Sequence, residues 1–126
     1  MDENLQDKTV LIAEDTDLIR TLVKIALRPL GCTVVEAVDG REALLLAVEL
    51  EPDLILLDVV MPHMDGFSVL EKMRGENICP NCLIVMLTTA ATQADQDHGK
   101  ESGADGYIVK PFGKDELRET VMNLLS

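Results

Sequence analysis

The sequence predicts an α/β domain, a doubly wound three-layer sandwich in which helices cover both faces of a parallel sheet. Four short apolar runs, rich in Val, Ile and Leu, are nearly continuous, which is typical of parallel strands buried on both faces. Segments with helical spacing of apolar residues separate these runs. With one further short strand, the alternation of five strands and five helices favours this fold class. The four runs are Val10–Ala13, Leu54–Leu57, Leu83–Leu87 and Tyr107–Val109.

The first helix follows the run Val10–Ala13. Apolar residues at helical spacing predict this helix over 17–30. Pro29 and Gly31 indicate its end, because proline lacks a backbone donor and glycine readily ends helices. Its buried stripe consists of Ile19, Leu22, Val23, Ala26, Leu27 and Leu30.

A second strand and a second helix come next. Thr33–Glu36 predicts a short strand. Asp39 followed by Glu42 is similar to the capping box that begins a helix, and Pro52 ends that helix. Its buried stripe consists of Ala43, Leu44, Ala47 and Leu50.

The third strand ends at Asp58. The segment 59–66 contains Pro62 and Gly66 and predicts a loop. The third helix then begins, and its apolar face is marked by Phe67, Leu70 and Met73.

The fourth helix, predicted over 91–102, has the weakest pattern. It is mostly polar and contains Gly99, which costs about 1 kcal/mol relative to alanine. The segment 103–106 turns into the fifth strand, and the last helix begins near Lys114. The apolar face of the last helix consists of Leu117, Val121 and Leu124.

Length and charge limit the classes of function. A chain of 126 residues is one domain by size, and its hydrophobic fraction of 47% supports a real core. Aromatic residues make up only 2%, so aliphatic side chains must build that core. The net charge of −12 argues against nucleic acid or an anionic membrane as a direct partner. It suits a divalent cation or a basic partner.

The chain has no sequence signal for export or membrane insertion. No stretch approaches the roughly 18 apolar residues of a spanning helix, and the N-terminus is polar and acidic. Three cysteines do not form an even disulfide set, which fits a reducing compartment. We therefore expect a cytoplasmic protein. We also expect a single domain over 1–126 without an output domain, since the chain stops after the last helix.

Polar residues stand directly after four of the predicted strands. Glu14 and Asp15 follow the first, Asp58 the third, Thr88 the fourth and Lys110 the fifth. Ligands of open parallel sheets bind outside the carboxyl ends of the strands. We therefore expect three carboxylates, a hydroxyl and an ammonium to meet at one edge.

This combination predicts phosphoryl-transfer chemistry. Clustered carboxylates raise each other's pKa unless something compensates, and Mg²⁺, which takes oxygen ligands, is the simplest compensation. A carboxylate can attack phosphorus and form an aspartyl phosphate. The metal and Lys110 would neutralise the transferred group, and Thr88 could donate a hydrogen bond to one of its oxygens.

Each of these residues has an ordinary structural explanation when it is taken alone. Asp15 could be a helix N-cap, Asp58 could belong to a turn, and Lys110-Pro111 could belong to a loop. Their joint position at the ends of neighbouring strands is what favours a common site.

Four segments together resemble the receiver domain of response regulators in two-component signalling, with a likeness to chemotaxis regulators. The resemblance covers nearly the whole chain, from about Lys8 to Leu125. It implies a flavodoxin-like fold with a five-stranded parallel sheet in the order 2-1-3-4-5. The matching segments are 11–15, 53–66, 86–88 and 103–112.

The resemblance also implies a role for each residue of the site. Asp58 would accept phosphate from a sensor histidine kinase or a histidine phosphotransfer domain. Mg²⁺ would be held by Asp15, Asp58 and the backbone carbonyl of Val60, and by Glu14 through water. Thr88 and Lys110 would grip the phosphoryl group.

The expected output is a conformational change. Thr88 and Tyr107 would relay phosphorylation to the face formed by the fourth helix, the fifth strand and the last helix. The Lys110-Pro111 bond is expected to be cis, a form found almost only before proline. Such a domain would process only its own phosphoryl group and would not be an enzyme otherwise. The resemblance also allows a homodimer linked to phosphorylation, and it leaves the downstream target open.

The sequence departs from the family pattern at four positions near the site. Glu14 replaces the usual aspartate, and its longer side chain could alter metal geometry. Thr89 stands where a small residue is usual and could narrow access to the phosphate. Val60 and Ala90 offer no polar side chain to place a hydrolytic water.

Three other classes of protein fit the sequence less well. A phosphatase of the aspartyl-phosphate type should have Asp-x-Asp after its first strand, but here Thr16 and Asp17 follow Glu14-Asp15. A nucleotide binder should have a Ser-, Thr- and Gly-rich loop there, whereas an acidic loop repels phosphate. A degenerate receiver that serves only for docking should lack Asp58 or Lys110, and both are present.

Two further features are predicted to have no function. Cys79 and Cys82 have redox-motif spacing but precede a strand instead of opening a helix. A zinc site would need two more ligands, and only Cys32, His63 and His98 remain. We therefore expect an ordinary loop. His63 and His98 stand in polar segments and are expected to be solvated.

Overall fold

The computed structural model describes residues 5–89 and 103–126 and contains a five-stranded parallel sheet in the order β2-β1-β3-β4-β5. This arrangement confirms the predicted doubly wound α/β fold and its strand order. The strand order reverses between β1 and β3, and such a switch point opens a crevice at the carboxyl edge. The strands are β1 (Thr9–Ala13), β2 (Thr33–Ala37), β3 (Leu54–Asp58), β4 (Leu83–Thr88) and β5 (Gly106–Val109).

Four α-helices lie in the described part of the chain. The helix predicted over 91–102 falls outside the described residues, so the last helix carries the label α4 here. None of these helices has the length and apolar character that a membrane crossing requires. They are α1 (Asp17–Leu27), α2 (Gly40–Leu50), α3 (Gly66–Gly75) and α4 (Lys114–Leu125).

The apolar strands separate two hydrophobic cores. Side chains alternate between the two faces of a strand, so Ile55 and Leu57 pack on the α2–α3 side, while Leu54 and Leu56 pack on the α1–α4 side. All five residues of β3 are buried. The apolar run of β3 is continuous because this strand is buried on both faces, as the sequence predicts.

The first helix is shorter than predicted. α1 ends at Leu27, and Arg28–Leu30 continues as a single 3₁₀ turn. Pro29 has no backbone N–H and cannot extend the α-helical ladder. Gly31 then leaves the turn in the left-handed conformation, with φ of 78°, which glycine adopts without steric cost.

Side-chain caps fix the starts of α2 and α3. The Asp39 carboxylate accepts a hydrogen bond from the Glu42 N–H at 2.8 Å, as the capping-box pattern predicts. The Glu42 carboxylate reaches back to the N–H of Val38 at 2.7 Å, one residue before the cap. In the same way, Asp65 caps α3 by accepting from Ser68 N–H at 2.8 Å.

Candidate functional site

The residues singled out at the strand ends meet at the carboxyl edge of the sheet. Glu14 and Asp15 follow β1, Asp58 ends β3, Thr88 ends β4 and Lys110 follows β5. One carboxylate oxygen from each of Glu14, Asp15 and Asp58 lies within 4.8 Å of the others. The parallel sheet therefore places three carboxylates at the point where the strand order reverses.

Lys110 joins the first and third strands through its ammonium group. Its Nζ donates hydrogen bonds to Glu14 Oε1 at 2.7 Å and to Asp58 Oδ1 at 3.0 Å. Its backbone N–H donates to the Thr88 carbonyl at 2.7 Å and holds the segment after β5 against β4. The Lys110-Pro111 bond is cis, as predicted.

Burial controls the ionisation of Asp58. The residue is only 5% exposed, and desolvation raises its pKa to about 6, with a further contribution from the nearby Glu14 carboxylate. Hydrogen bonds from Lys110 and from the backbone N–H of Val60 oppose this rise. Because its pKa lies below 7, Asp58 is mainly a carboxylate at neutral pH.

The pKa of Lys110 is raised as well, but by its hydrogen-bond partners instead of by burial. Burial by itself would lower the pKa of Lys110, but hydrogen bonds to Glu14 and Asp58 outweigh burial and raise it. The ammonium is therefore charged at neutral pH. One ammonium then faces three carboxylates, and the site keeps an excess of negative charge.

Glu14 is fixed through its backbone as well as its side chain. Its N–H donates to the Ala37 carbonyl at 3.0 Å, and its Oε2 accepts from the Thr16 N–H at 3.2 Å. Its backbone carbonyl accepts from Arg20 Nη1 at 2.6 Å. The carboxylate that Lys110 contacts is thus held from several sides.

Arg20 was not identified from the sequence. It is 7% exposed, and besides Glu14 it contacts Asp17 and donates from Nε to Glu36 Oε1 at 2.9 Å. The available signal is its helical position, because Arg20 lies three residues before Val23 on the buried face of α1. A charged residue on a buried stripe requires polar partners.

Asp15 is exposed beside the buried pair. It is not the N-cap of α1, because that position belongs to Thr16, which makes no side-chain cap. The structural alternative for Asp15 is therefore wrong. An exposed carboxylate next to two buried ones leaves the cluster open toward solvent.

The donor set of this cluster fits a hard divalent cation. Mg²⁺ prefers oxygen ligands and usually binds through one or two carboxylates, with water and phosphate oxygens completing an octahedron. Three carboxylate oxygens within 4.8 Å satisfy this requirement. Val60 lies two residues after Asp58 with an exposed side chain, and the ligand role of its carbonyl stays a prediction.

A glycine shapes the loop between β3 and α3. A Cβ atom at Gly66 would lie 2.2 Å from the backbone oxygen of Asp58, a distance that no side chain tolerates. The Gly66 N–H donates to the Val59 carbonyl at 2.8 Å. Glycine at this position therefore lets the start of α3 pack against the end of β3 and closes the loop that contains Val60.

The two predicted relay residues lie on neighbouring strands. Thr88 is buried at the carboxyl end of β4, where it pairs with Val109 of β5. Tyr107 pairs with Met86 and is half-buried against the core on the α2–α3 side. The structure brings Thr88 to the edge that carries Asp58 and Lys110, whereas Tyr107 lies within β5, three residues before Lys110. Thr89 is exposed, and Ala90 falls outside the described residues.

The structure describes three of the four residues that are predicted to have no function. The His63 side chain is exposed, and its Nε2 lies 3.9 Å from Asp39 Oδ2, while His98 lies outside the described residues. Cys79 and Cys82 are buried as free thiols in the loop before β4. That loop is at the amino edge of the sheet, opposite the carboxylate cluster.

Comparison with known proteins places these features in one family. The family model of the response regulator receiver domain matches residues 10–122. The chain is 40% identical over 121 residues to the probable transcriptional regulator ycf27 of Cyanophora paradoxa, covering 96% of this chain and 49% of that protein. It is 40% identical over 116 residues to the DNA-binding dual master transcriptional regulator RpaA of a Synechocystis strain, covering 92% of this chain and 48% of that protein. The chain thus spans about half the length of these relatives.

Solved structures agree with this comparison. The chemotaxis response regulator CheY4 of Vibrio cholerae is similar with a TM-score of 0.87 and 37% identity, over 94% of this chain and 98% of that one. A Francisella response regulator receiver domain is similar with a TM-score of 0.87 and 35% identity, over 94% and 96% of the two chains. The chain belongs to the response regulator receiver domain family.

Proposed function

We propose that this receiver domain is a signalling module that is switched by phosphorylation of Asp58. The phosphoryl donor would be the phosphohistidine of a sensor histidine kinase or of a histidine phosphotransfer domain. The observation that carries this proposal is the position of Asp58. Its Oδ1 is 3.0 Å from the Lys110 ammonium, and it shares a 4.8 Å cluster with Glu14 and Asp15.

Asp58 is suited to be the nucleophile. One of its carboxylate oxygens attacks phosphorus, so that an O–P bond forms while the P–N bond to the donor histidine breaks. The electron pair of the broken bond stays on the imidazole nitrogen, which takes up a proton. Such a transfer depends on positioning and charge neutralisation, and Lys110 supplies a cation beside the attacked group.

The other carboxylate beside Lys110 is less suited to this role. Glu14 accepts hydrogen bonds at both oxygens, from Lys110 and from the Thr16 N–H. Its backbone is also held by Arg20 and Ala37. These contacts favour an anchoring role for Glu14, with Asp58 as the acceptor at the end of the central strand.

Glu14, Asp15 and Asp58 would hold Mg²⁺ together with the Val60 carbonyl, with Glu14 acting through water. The ion would supply positive charge to neutralise the phosphoryl oxygens. Thr88, buried at the end of β4, would donate a hydrogen bond to one of those oxygens. Together with Lys110, these residues would hold the phosphoryl group from the ends of four strands.

The output of the switch would be a change at one face of the domain. Thr88 and Tyr107 would pass phosphorylation to the face made of the predicted fourth helix, β5 and α4. We further propose that the domain turns over only its own phosphoryl group and acts in the cytoplasm. The net charge of −12 favours protein partners for this chain over direct contact with DNA.

The phosphoacceptor can be tested without a kinase. The chain would be incubated with acetyl phosphate and Mg²⁺ and examined by intact mass spectrometry. We expect one added phosphoryl group that hydroxylamine removes, as it does from an acyl phosphate. The adduct should be absent from Asp58→Asn and strongly reduced in Asp15→Ala.

The control is Asp7→Asn, which changes an exposed carboxylate that precedes β1, at the edge of the sheet opposite the cluster. It should be labelled as the unmodified protein is. Undiminished labelling of Asp58→Asn would reject Asp58 as the acceptor.

A further inference from the structure

Two thiols of the chain are brought together at the amino edge of the sheet. Cys79, Pro80, Asn81 and Cys82 form a tight turn, in which the Cys82 N–H donates to the Cys79 carbonyl at 3.0 Å. Such a turn places its first and fourth Cα atoms within about 7 Å, and a disulfide requires about 4.4–6.8 Å. The Cys82 thiol donates a hydrogen bond to the Leu83 carbonyl at 3.4 Å.

The turn is held in place by its neighbours. Arg74 donates from Nη1 to the Cys82 carbonyl at 3.3 Å and from Nε to the Gly103 carbonyl at 3.2 Å. The Cys79 thiol donates to the Pro52 carbonyl at 3.6 Å. These contacts hold the backbone around both cysteines at the short Cα separation that the turn imposes.

Small molecules can approach the turn from two sides. One cleft of about 290 Å³ is lined by Val48, Ile78 and Cys79 among others, and a second of about 240 Å³ is lined by Asp53, Cys79 and Cys82 among others. Cys79 borders both clefts and is 9% exposed, whereas Cys82 is 2% exposed. A small oxidant therefore meets the Cys79 sulfur first.

We propose that Cys79 and Cys82 form a redox-modification site that hydrogen peroxide converts to an intramolecular disulfide. The Cys79 sulfur attacks one peroxide oxygen, the O–O bond breaks, and a sulfenic acid and one water form. The Cys82 sulfur then attacks the sulfenic sulfur and displaces a second water as the S–S bond forms. The two thiols lose two electrons and two protons, which reduce one peroxide to two waters.

The environment assigns different roles to the two cysteines. Burial raises the pKa of both thiols, and the neighbouring Cys82 partly opposes this rise at Cys79. Cys79 is therefore the attacking thiol and Cys82 the resolving thiol. Since the thiolate is the reactive form, oxidation should be slow at pH 7 and faster at pH 9.

This site is separate from the proposed phosphoacceptor site. The turn immediately precedes β4, whose other end carries Thr88. The third cysteine, Cys32, packs with the core on the α1–α4 side of the sheet, whereas Cys79 and Cys82 pack on the α2–α3 side. Cys32 therefore provides a matched control within the same chain.

The test uses the complete chain, fully reduced and then treated with hydrogen peroxide. Remaining thiols are alkylated in denaturant, and the protein is weighed intact and after trypsin digestion. Both cysteines lie in one tryptic peptide, 75–100, and Cys32 lies in another. We expect peptide 75–100 to lose the mass of two hydrogen atoms, to escape alkylation, and to recover both thiols with dithiothreitol.

Variants separate this chemistry from nonspecific oxidation. Cys79→Ser and Cys82→Ser should fail to form the disulfide, whereas Cys32→Ser should form it at the rate of the unmodified chain. Three alkylatable thiols after peroxide treatment, or sulfinic acid without the disulfide, would overturn the proposal. The peptide analysis of the unmodified chain decides the question even where a serine variant does not fold.

Discussion

Lys110 and Asp58, which are 52 residues apart in sequence, are joined by a hydrogen bond of 3.0 Å at the carboxyl edge of the sheet. The same ammonium lies 2.7 Å from Glu14. One cation is therefore shared by two buried carboxylates, and a third carboxylate, Asp15, lies beside them. Negative charge exceeds positive charge at the site, and the stability of the protein and its binding of cations depend on this imbalance.

Replacing Asp58 with asparagine should stabilise the metal-free protein above pH 6. The folded protein raises the pKa of Asp58 from 3.8 to about 6, so between about pH 4 and pH 6 it holds a proton that the unfolded chain has released. The free energy of unfolding then falls as pH rises through this window, by about 3 kcal/mol at most. Urea denaturation from pH 4.5 to 7.5 should show this decline relative to Asp58→Asn. Parallel curves for the two proteins would contradict it.

Mg²⁺ should stabilise the folded protein. A ligand that binds only the folded state adds about 2.7 kcal/mol at a hundredfold excess over its Kd. Thermal melts with and without millimolar Mg²⁺ should differ at pH 7.5, and the difference should shrink below pH 6, where Asp58 takes up a proton. Asp58→Asn should reduce the shift, and Glu49→Gln, an exposed change on α2, should not. Equal melting temperatures with and without Mg²⁺ would show that the cluster does not bind the metal.

Removing the ammonium should have the opposite effect on stability to removing Asp58. Lys110→Met leaves Glu14 and Asp58 buried without their cation, a loss that typically costs about 3–5 kcal/mol. Urea denaturation at pH 7.5 should show a fall of this order, and adding Asp58→Asn to Lys110→Met should recover part of it. Lys110→Arg serves as the charge-conserving control. A Lys110→Met protein as stable as the unmodified chain would mean that the ammonium does not compensate these carboxylates.

Arg20 should be coupled energetically to Glu36. Arg20→Met removes hydrogen bonds to the Glu14 carbonyl and to Glu36, and unsatisfied buried groups cost about 1–3 kcal/mol. A double-mutant cycle with Glu36→Gln should show a smaller loss for Arg20→Met when Glu36 is already changed. Strictly additive losses would show that the Arg20–Glu36 contact does not contribute to stability.

Thr88→Ala should separate phosphorylation from its structural consequence. The variant should still be labelled by acetyl phosphate, because Asp58, Lys110 and the acidic pair are intact. It should lose the hydrogen bond that Thr88 would donate to a phosphoryl oxygen, so amide NMR shifts along β5 on phosphorylation should be smaller than in the unmodified chain. Thr89→Ala, at an exposed neighbouring hydroxyl, should retain the full shifts. Equal shifts in the unmodified protein and in Thr88→Ala would refute the relay role of Thr88.

Local pattern was enough to predict the strands and most helix limits. The apolar runs predicted β3 and β4 because a strand buried on both faces leaves no room for polar alternation. The pair Asp39 and Glu42 predicted the start of α2, because a capping bond joins residues that are close in sequence. The end of α1 was placed three residues too late, since Leu30 continues the apolar spacing although it lies in a 3₁₀ turn.

The sequence by itself determined which side chains stand at the strand ends, because each polar residue directly follows its own apolar run. Only the tertiary structure decided which of them touch. The contacts of Lys110 with Glu14 and Asp58 depend on strand order and parallel register, which bring together segments 96 and 52 residues apart. The contact of Arg20 with Glu36 was decided in the same way. Burial is a property of the assembled core, and it is burial that raises the pKa of Asp58 and sets the charge balance of the site.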